Sequence, residues 1–285
     1  MADISASEVK RLREKTGAGM MECKNALVAS NGDAAAAEKL LKEKGLAAVE
    51  KRSGRAANEG KIFIQIKEDG SKAVLAEIAS ETDFVARNPD FIVLGKALTA
   101  KALEKGYTDM ADELKEMVKD LAAKIRENMS LKRLKVIEAG SSEYLSQYIH
   151  GDGAIGVVVK LAADKAAVLK TEEVKAFAFS LALHIAAFNP MALSREKIDP
   201  EWLKEQEAIF RKQMEQDESV KGKPANVVDN ILKGKVNKFL KEICLLDQGY
   251  VKDEKLSVAK ALEEEGKKAD AVLSVIDYVY FKVGT

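Results

Sequence analysis

An alternating run near residue 62 sets the first constraint on this chain. Ile62, Ile64 and Ile66 fall on one face of an extended segment, the tripeptide EDG supplies a turn, and KAVLAEIA completes a hairpin. The period then changes. Pro89 fits the first turn of a helix carrying Phe91, Leu94 and Leu98. Met110, Leu114, Met117, Leu121 and Ile125 follow at steps of three and four, the spacing of one buried helical stripe. SLKRLKVI, EYLSQYIH and AIGVVVKLA read as further strands, and Thr171 opens a helix with Val174, Phe177, Leu181 and Ile185. The order of hairpin, strand and helix resembles that of residues 61–105, a weak duplication of topology rather than of residue identity. The fold class expected is α+β, with two halves of similar topology packed side by side.

Two helical regions flank and interrupt these halves. Residues 1 to about 45 read as three short helices: Ser5 and Glu8 form a capping-box pair before Val9 and Leu12, and TGAG breaks the first helix. MMECKNALVAS makes the second, and Asp33 caps an alanine-rich third that Gly45 closes. AAVEKRSGRAANEG follows as a linker. From Asp199-Pro200 to Ile243 come two long charged helices, one with Trp202, Ile209, Phe210 and Met214, the other with Val228, Ile231, Val236, Phe239 and Ile243. Joined by SVKGKP, they are expected to fold back as an antiparallel hairpin that needs a neighbour, either the protein body or another chain. A short helix over Leu256 to Glu265 and an alternating AVLSVIDYVYFKV strand end the chain. The division expected is a helical domain plus linker over 1–55, a first subdomain over 56–140, and a second over 141–285 with the hairpin inserted at about 195–243.

Composition narrows the function. With 285 residues, 47% of them hydrophobic and 32% charged, the chain is a folded protein with more than one core. Lys+Arg and Asp+Glu balance at zero net charge, so no global basic field collects nucleic acid, and KGKVNKFLK reads as a solvated helix face. Cys23 and Cys244 form no CxxC pair and read as small buried hydrophobes in a reducing compartment. The N-terminus lacks the apolar core of a signal peptide, and no run approaches the roughly 20 apolar residues of a membrane span. No phosphate loop, dinucleotide fingerprint, HExxH, GxSxG or metal-ligand spacing occurs. His184, in LALHIAAF, reads as a satisfied core or edge residue. His150, before Gly151 in YIHGDG, suits a turn or a contact, and nothing pairs it with Cys23 as a nucleophile. A protein that works by binding, without cofactor or metal, is the expectation.

ETDFVARNPDF then poses a question, because it sets an acid beside a large aromatic on a loop. Two readings stand. Thr82 or Asp83 caps a turn while Phe84 staples onto Phe91 or Leu94, or Phe84 is a wedge for another protein.

VKRLREKTGAGMMECKNAL, ETDFVARN, YIHGDGAIGVVV, HIAAFNP and GKVNKFLKEICLLDQ, in this order along essentially the whole chain, resemble the bacterial and organellar translation elongation factor Ts family. The resemblance implies a three-helix, ubiquitin-associated-like (UBA-like) domain, then two α+β subdomains with a helical dimerisation hairpin inserted in the second. It implies a guanine-nucleotide exchange factor, not an enzyme, whose partner is the GTPase elongation factor Tu. By matching, Thr82, Asp83, Phe84 and Val85 form the loop that disturbs the partner's magnesium site. Leu12, Thr16, Gly17, Ala18, Gly19, Met20 and Met21 form the N-terminal grip, and His150 and Gly151 a contact from the second subdomain. Cofactors are none, and neither nucleic acid nor a membrane is a direct partner. The expected location is the bacterial cytoplasm, from the Met1 start, with a mature organellar form as the alternative. Two departures are visible: the chain stops at FKVGT, short of the C-terminal helical module of some relatives, and the hairpin differs from better-known members, which leaves a homodimer through it open. An adaptor without exchange activity, with Phe84 buried in its own protein, and an enzyme with a site between the α+β halves are the rival classes.

Overall fold

The computed structural model describes residues 4–217, 220 and 223–285. The chain divides into two compact units, one comprising Met1–Glu138, Ile149–Gly156 and Phe281–Thr285, the other Ala139–Tyr148 and Val157–Tyr280. Small sheets and separate helices make it an α+β protein.

The first unit begins with helices α1 (Ala6–Thr16), α2 (Met20–Ala29) and α3 (Ala34–Arg52). The Ser5 hydroxyl accepts from the Glu8 N–H while the Glu8 carboxylate accepts from the Ser5 N–H, so the expected capping box forms. Val9, Leu12, Cys23, Ala26, Leu27 and Ala37 share one small core. Strands β1 (Glu59–Ile66) and β2 (Lys72–Ser80) form the hairpin. Helices α4 (Asp83–Ala86), α5 (Pro89–Lys105) and α6 (Asp112–Ile125) follow, and β3 (Met129–Glu138) pairs antiparallel with β2 to give the order β1-β2-β3.

Two glycines let these layers approach closely. A Cβ on Gly95 in α5 would stand 2.2 Å from the Phe63 ring, so the helix can lie on the sheet only without one. Phe63, Val74, Ala76 and Ile78 thereby meet Phe91, Leu98, Leu114 and Val118 in the main core. The helices cover the Phe63 side of β1, opposite to its isoleucine face. Gly45 departs from expectation. It does not close α3, which runs on to Arg52; a Cβ there would stand 3.0 Å from the Ala123 Cβ of α6. A mid-helix glycine costs about 1 kcal/mol against alanine, and close helix contact offsets it here. Val49, beyond Gly45, is part of the main core, so the first half of the supposed linker is helix.

The second unit holds the sheet β4-β5-β8, formed by β4 (Glu143–His150), β5 (Ile155–Ala163) and β8 (Leu273–Lys282), whose segments at 149–156 and 281–282 count with the first unit. A two-stranded ribbon, β6 (Gly249–Tyr250) with β7 (Asp253–Ser257), has no counterpart in the sequence reading. The short helix expected from Leu256 begins just after it: Leu256 belongs to β7, and the Ser257 hydroxyl caps α10 (Val258–Lys268) by accepting the Lys260 N–H. Helix α7 (Glu172–Phe188), capped by Thr171, buries Val174, Phe177, Leu181 and Ile185 as their spacing requires. Helices α8 (Pro200–Glu215) and α9 (Ala225–Ile243) fold back on each other, with the Phe239 ring 5.3 Å from Phe210 and 6.0 Å from Trp202. Of the SVKGKP connection, Ser219, Lys221 and Gly222 lie outside the described residues. The hairpin finds cover at its base, where Ala192, Ile198 and Cys244 join Met214, Leu232, Val236 and Leu240. His184 is fully buried. Its Nδ1 accepts from the Val251 N–H at 3.2 Å, so Nε2 carries the proton given to Gln248 Oε1 at 3.0 Å, and burial holds its pKa below the usual value. Among the described residues, no helix is long and apolar enough to cross a membrane.

Candidate binding surface

The segment 82–88 is a tight, well-anchored turn. Thr82 caps α4: its hydroxyl accepts from the Val85 N–H at 3.4 Å and donates to the Glu127 carboxylate at 3.0 Å, which also accepts the Thr82 N–H at 3.2 Å. Arg87 N–H donates to Asp83 O, and Asn88 N–H to Val85 O. Asn88 then caps α5, with Pro89 in its first turn. Val85 and Ala86 are buried in the main core. Phe84, one residue before them, is 81% exposed. The staple onto Phe91 or Leu94 does not form, because Val85 and Ala86 occupy the inward face of this single turn. An exposed phenylalanine on a rigid, inward-anchored turn forgoes about 2 kcal/mol of available burial.

Charged pairs mark this turn and the one after β4. Asp83 pairs with Arg87, four residues on, at 3.2 Å. The Lys61 ammonium bonds to the Asp152 carboxylate at 2.5 Å and to its carbonyl at 2.6 Å, and this contact, with a smaller contribution from Arg87, lowers the Asp152 pKa. Gly151, Asp152 and Gly153 all have positive φ, at +60°, +54° and +96°, so the turn after β4 is sharp, and Gly153 O accepts the Ile62 N–H. His150 is exposed at its edge. Lys61, with its side chain 8% exposed, pins this turn to β1. The 82–88 turn and the 150–153 turn therefore belong to one unit and one charged neighbourhood through Arg87.

The N-terminal residues separate into two kinds. Leu12 is buried in the bundle core and has almost no surface to offer. Thr16 bonds back to Leu12 O at 2.7 Å, and Gly17, at φ +69°, ends α1. Gly19 donates its N–H to the Glu22 carboxylate at 3.0 Å, which lowers the Glu22 pKa. Ala18 is half-buried, packed against the bundle core. Met20 and Met21, in the first turn of α2, are 47% and 65% exposed. Cys23 is buried in the bundle, its thiol 3.7 Å from the Ala18 carbonyl.

Sequence reading missed Lys61, Arg87, Asp152, Glu22, Glu127 and Asn128, most of whose partners lie far along the chain; charge at these positions was the main signal, and it is common throughout. Among the described residues, no group of three or more His, Cys, Asp or Glu side chains is arranged to hold a metal ion.

Comparison with known proteins gives the same family along the chain. The profile of the family described as Elongation factor TS matches residues 81–285. The Elongation factor Ts of Treponema denticola is 50% identical over 282 residues, covering 99% of both chains. Those of Treponema pallidum and Borrelia recurrentis are each 44% identical, covering 99% of both chains. The chain belongs to the elongation factor Ts family of translation elongation factors.

Proposed function

We propose that this chain is the guanine-nucleotide exchange factor for elongation factor Tu, acting in the cytoplasm by binding rather than by covalent chemistry. The observation that carries the mechanism is Phe84, exposed on a turn whose next two residues are anchored in the core. A GTPase holds GDP through its phosphate loop and a bridging Mg²⁺. A factor that binds the emptied or distorted GTPase better than the loaded one must weaken nucleotide binding by the same factor. Phe84 enters an apolar crevice of the GTPase, with about 2 kcal/mol from its burial. Asp83 then approaches the polar network around Mg²⁺, which tolerates little departure from octahedral geometry. Met20 and Met21 anchor the N-terminal bundle, with Thr16 to Gly19 shaping their turn and Leu12 supporting it from inside. His150 and Gly151 add a contact beside the wedge. The same reading takes α1–α3 as UBA-like, keeps the divisions 1–55, 56–140 and 141–285, and leaves α8–α9 as the surface for a homodimer.

Release of a fluorescent GDP analogue from elongation factor Tu, chased with excess GDP, tests this directly. Fast release on adding the protein, much reduced by Phe84→Ala, is expected. Binding without acceleration would leave an adaptor and overturn the exchange reading.

A further inference from the structure

The chain leaves α6 through three residues that reach in three directions. Arg126 sits in the left-handed region, at φ +71°, and closes the helix with its N–H on Ala122 O. Such a reversal turns successive side chains away from the helix axis. Arg126 pairs with Glu22, the same carboxylate that accepts the Gly19 N–H at the entrance to the Met20–Met21 turn. Glu127 takes both the N–H and the hydroxyl of Thr82, the cap of the Phe84 turn. Asn128, itself buried, donates its N–H to Glu81 at 2.6 Å and its side-chain amide to the carbonyls of Ser53 at 3.3 Å and Arg55 at 2.7 Å. Two candidate contact patches, far apart in sequence, thus hang from one bend.

We infer that the Arg126–Asn128 bend is a positioning bridge that holds the Phe84 turn and the Met20–Met21 turn in fixed spacing, with Glu127 aiming the wedge and Arg126 steadying the N-terminal grip. The inference rests on the reading of Phe84 as the wedge. The segment from Ser53 to Asn58 need not measure the distance between the grips, because the bend spans it with side-chain bonds. Pre-set spacing matters because misplacing a reacting or displacing group by about 1 Å costs as much as a hundredfold in rate. Glu127 is a positioning residue: it acts on Phe84 through Thr82.

Two readouts test it. In the free protein, Glu127→Ala is expected to speed amide exchange across Asp83 to Asn88 by about tenfold, leaving the amides of β2 unchanged. In GDP release from elongation factor Tu, the same variant should lower the maximal rate by about tenfold and leave the half-saturating concentration within about twofold. Glu127→Gln, whose amide oxygen still accepts from Thr82, should restore most of both. Glu127→Asp, which keeps the charge but is too short to reach, should behave like Glu127→Ala and replaces it if that variant fails to fold. Glu22→Gln, which keeps an acceptor for Gly19 but gives up the charge facing Arg126, should instead raise the half-saturating concentration by about threefold at an unchanged maximal rate. Turn amides and maximal rate both at parental values in a folded Glu127→Asp would overturn the bridge. Parental release by Phe84→Ala in the same series would overturn the wedge reading, while the amide-exchange result would still decide whether Glu127 holds the turn.

Discussion

The Phe84 turn and the α8–α9 hairpin use aromatic side chains in opposite ways. In the hairpin, Trp202 and Phe210 each lie within 6.0 Å of Phe239, and the three rings are committed to holding two helices together. In the turn, Val85 and Ala86 do the holding, and Phe84 is left 81% exposed. An aromatic residue that packs at home contributes stability; one kept out on a rigid support is available to another molecule without a conformational search. The contrast separates residues whose loss unfolds the protein from residues whose loss leaves it folded and inactive.

That contrast can be broken by mutation. Phe84→Ala should cut the maximal rate of GDP release from elongation factor Tu by about thirtyfold, the equivalent of about 2 kcal/mol, with its thermal midpoint unchanged. A shifted midpoint would return Phe84 to a structural role. Phe239→Ala should do the reverse, costing about 2 kcal/mol in urea unfolding of the second unit while release at saturation stays near parental. Met21→Ala should lie between, raising the half-saturating concentration by about fivefold with neither stability nor maximal rate changed. The smallest effect belongs to pH. His184 has a folded pKa below its unfolded one, so the unfolded chain binds the proton more readily, and stability rises with pH across that interval. The contribution is complete above about pH 6.5, the unfolded value, and is lost as pH falls from there towards the depressed folded value. Urea midpoints at a series of pH values on either side of the unfolded pKa check this against His184→Gln, which should lose that part of the slope.

The two histidines carry a second lesson. Their sequence surroundings already separated them: His184 follows an apolar helical stripe, and His150 precedes a glycine turn. Burial with both ring nitrogens bonded matches the core reading of His184, whereas His150 is exposed beside the turn after β4. The glycines were harder. Gly17 is legible as a helix break because a positive φ is a local property, whereas Gly45 reads as a helix end although its role is to admit Ala123 from another helix.

By itself, the sequence determined what neighbours within a few residues decide: the helix and strand periods, the helix starts at Ser5, Asp33 and Thr171, and the turn around Asp83. The motif string along the chain also determined the family. Tertiary structure alone decided which residues of those motifs face outward, hiding Leu12 and exposing Met20, Met21 and Phe84. It also decided the bonds that hold the surface, Thr82 to Glu127 across 45 residues, Lys61 to Asp152 across 91 and Glu22 to Arg126 across 104. Local hydrogen bonds and periodicity leave a trace in composition and spacing. A pairing between two ordinary charged residues far apart leaves none in a single chain with 46 basic and 46 acidic side chains to choose from, because only the packing of the elements between them brings the partners together.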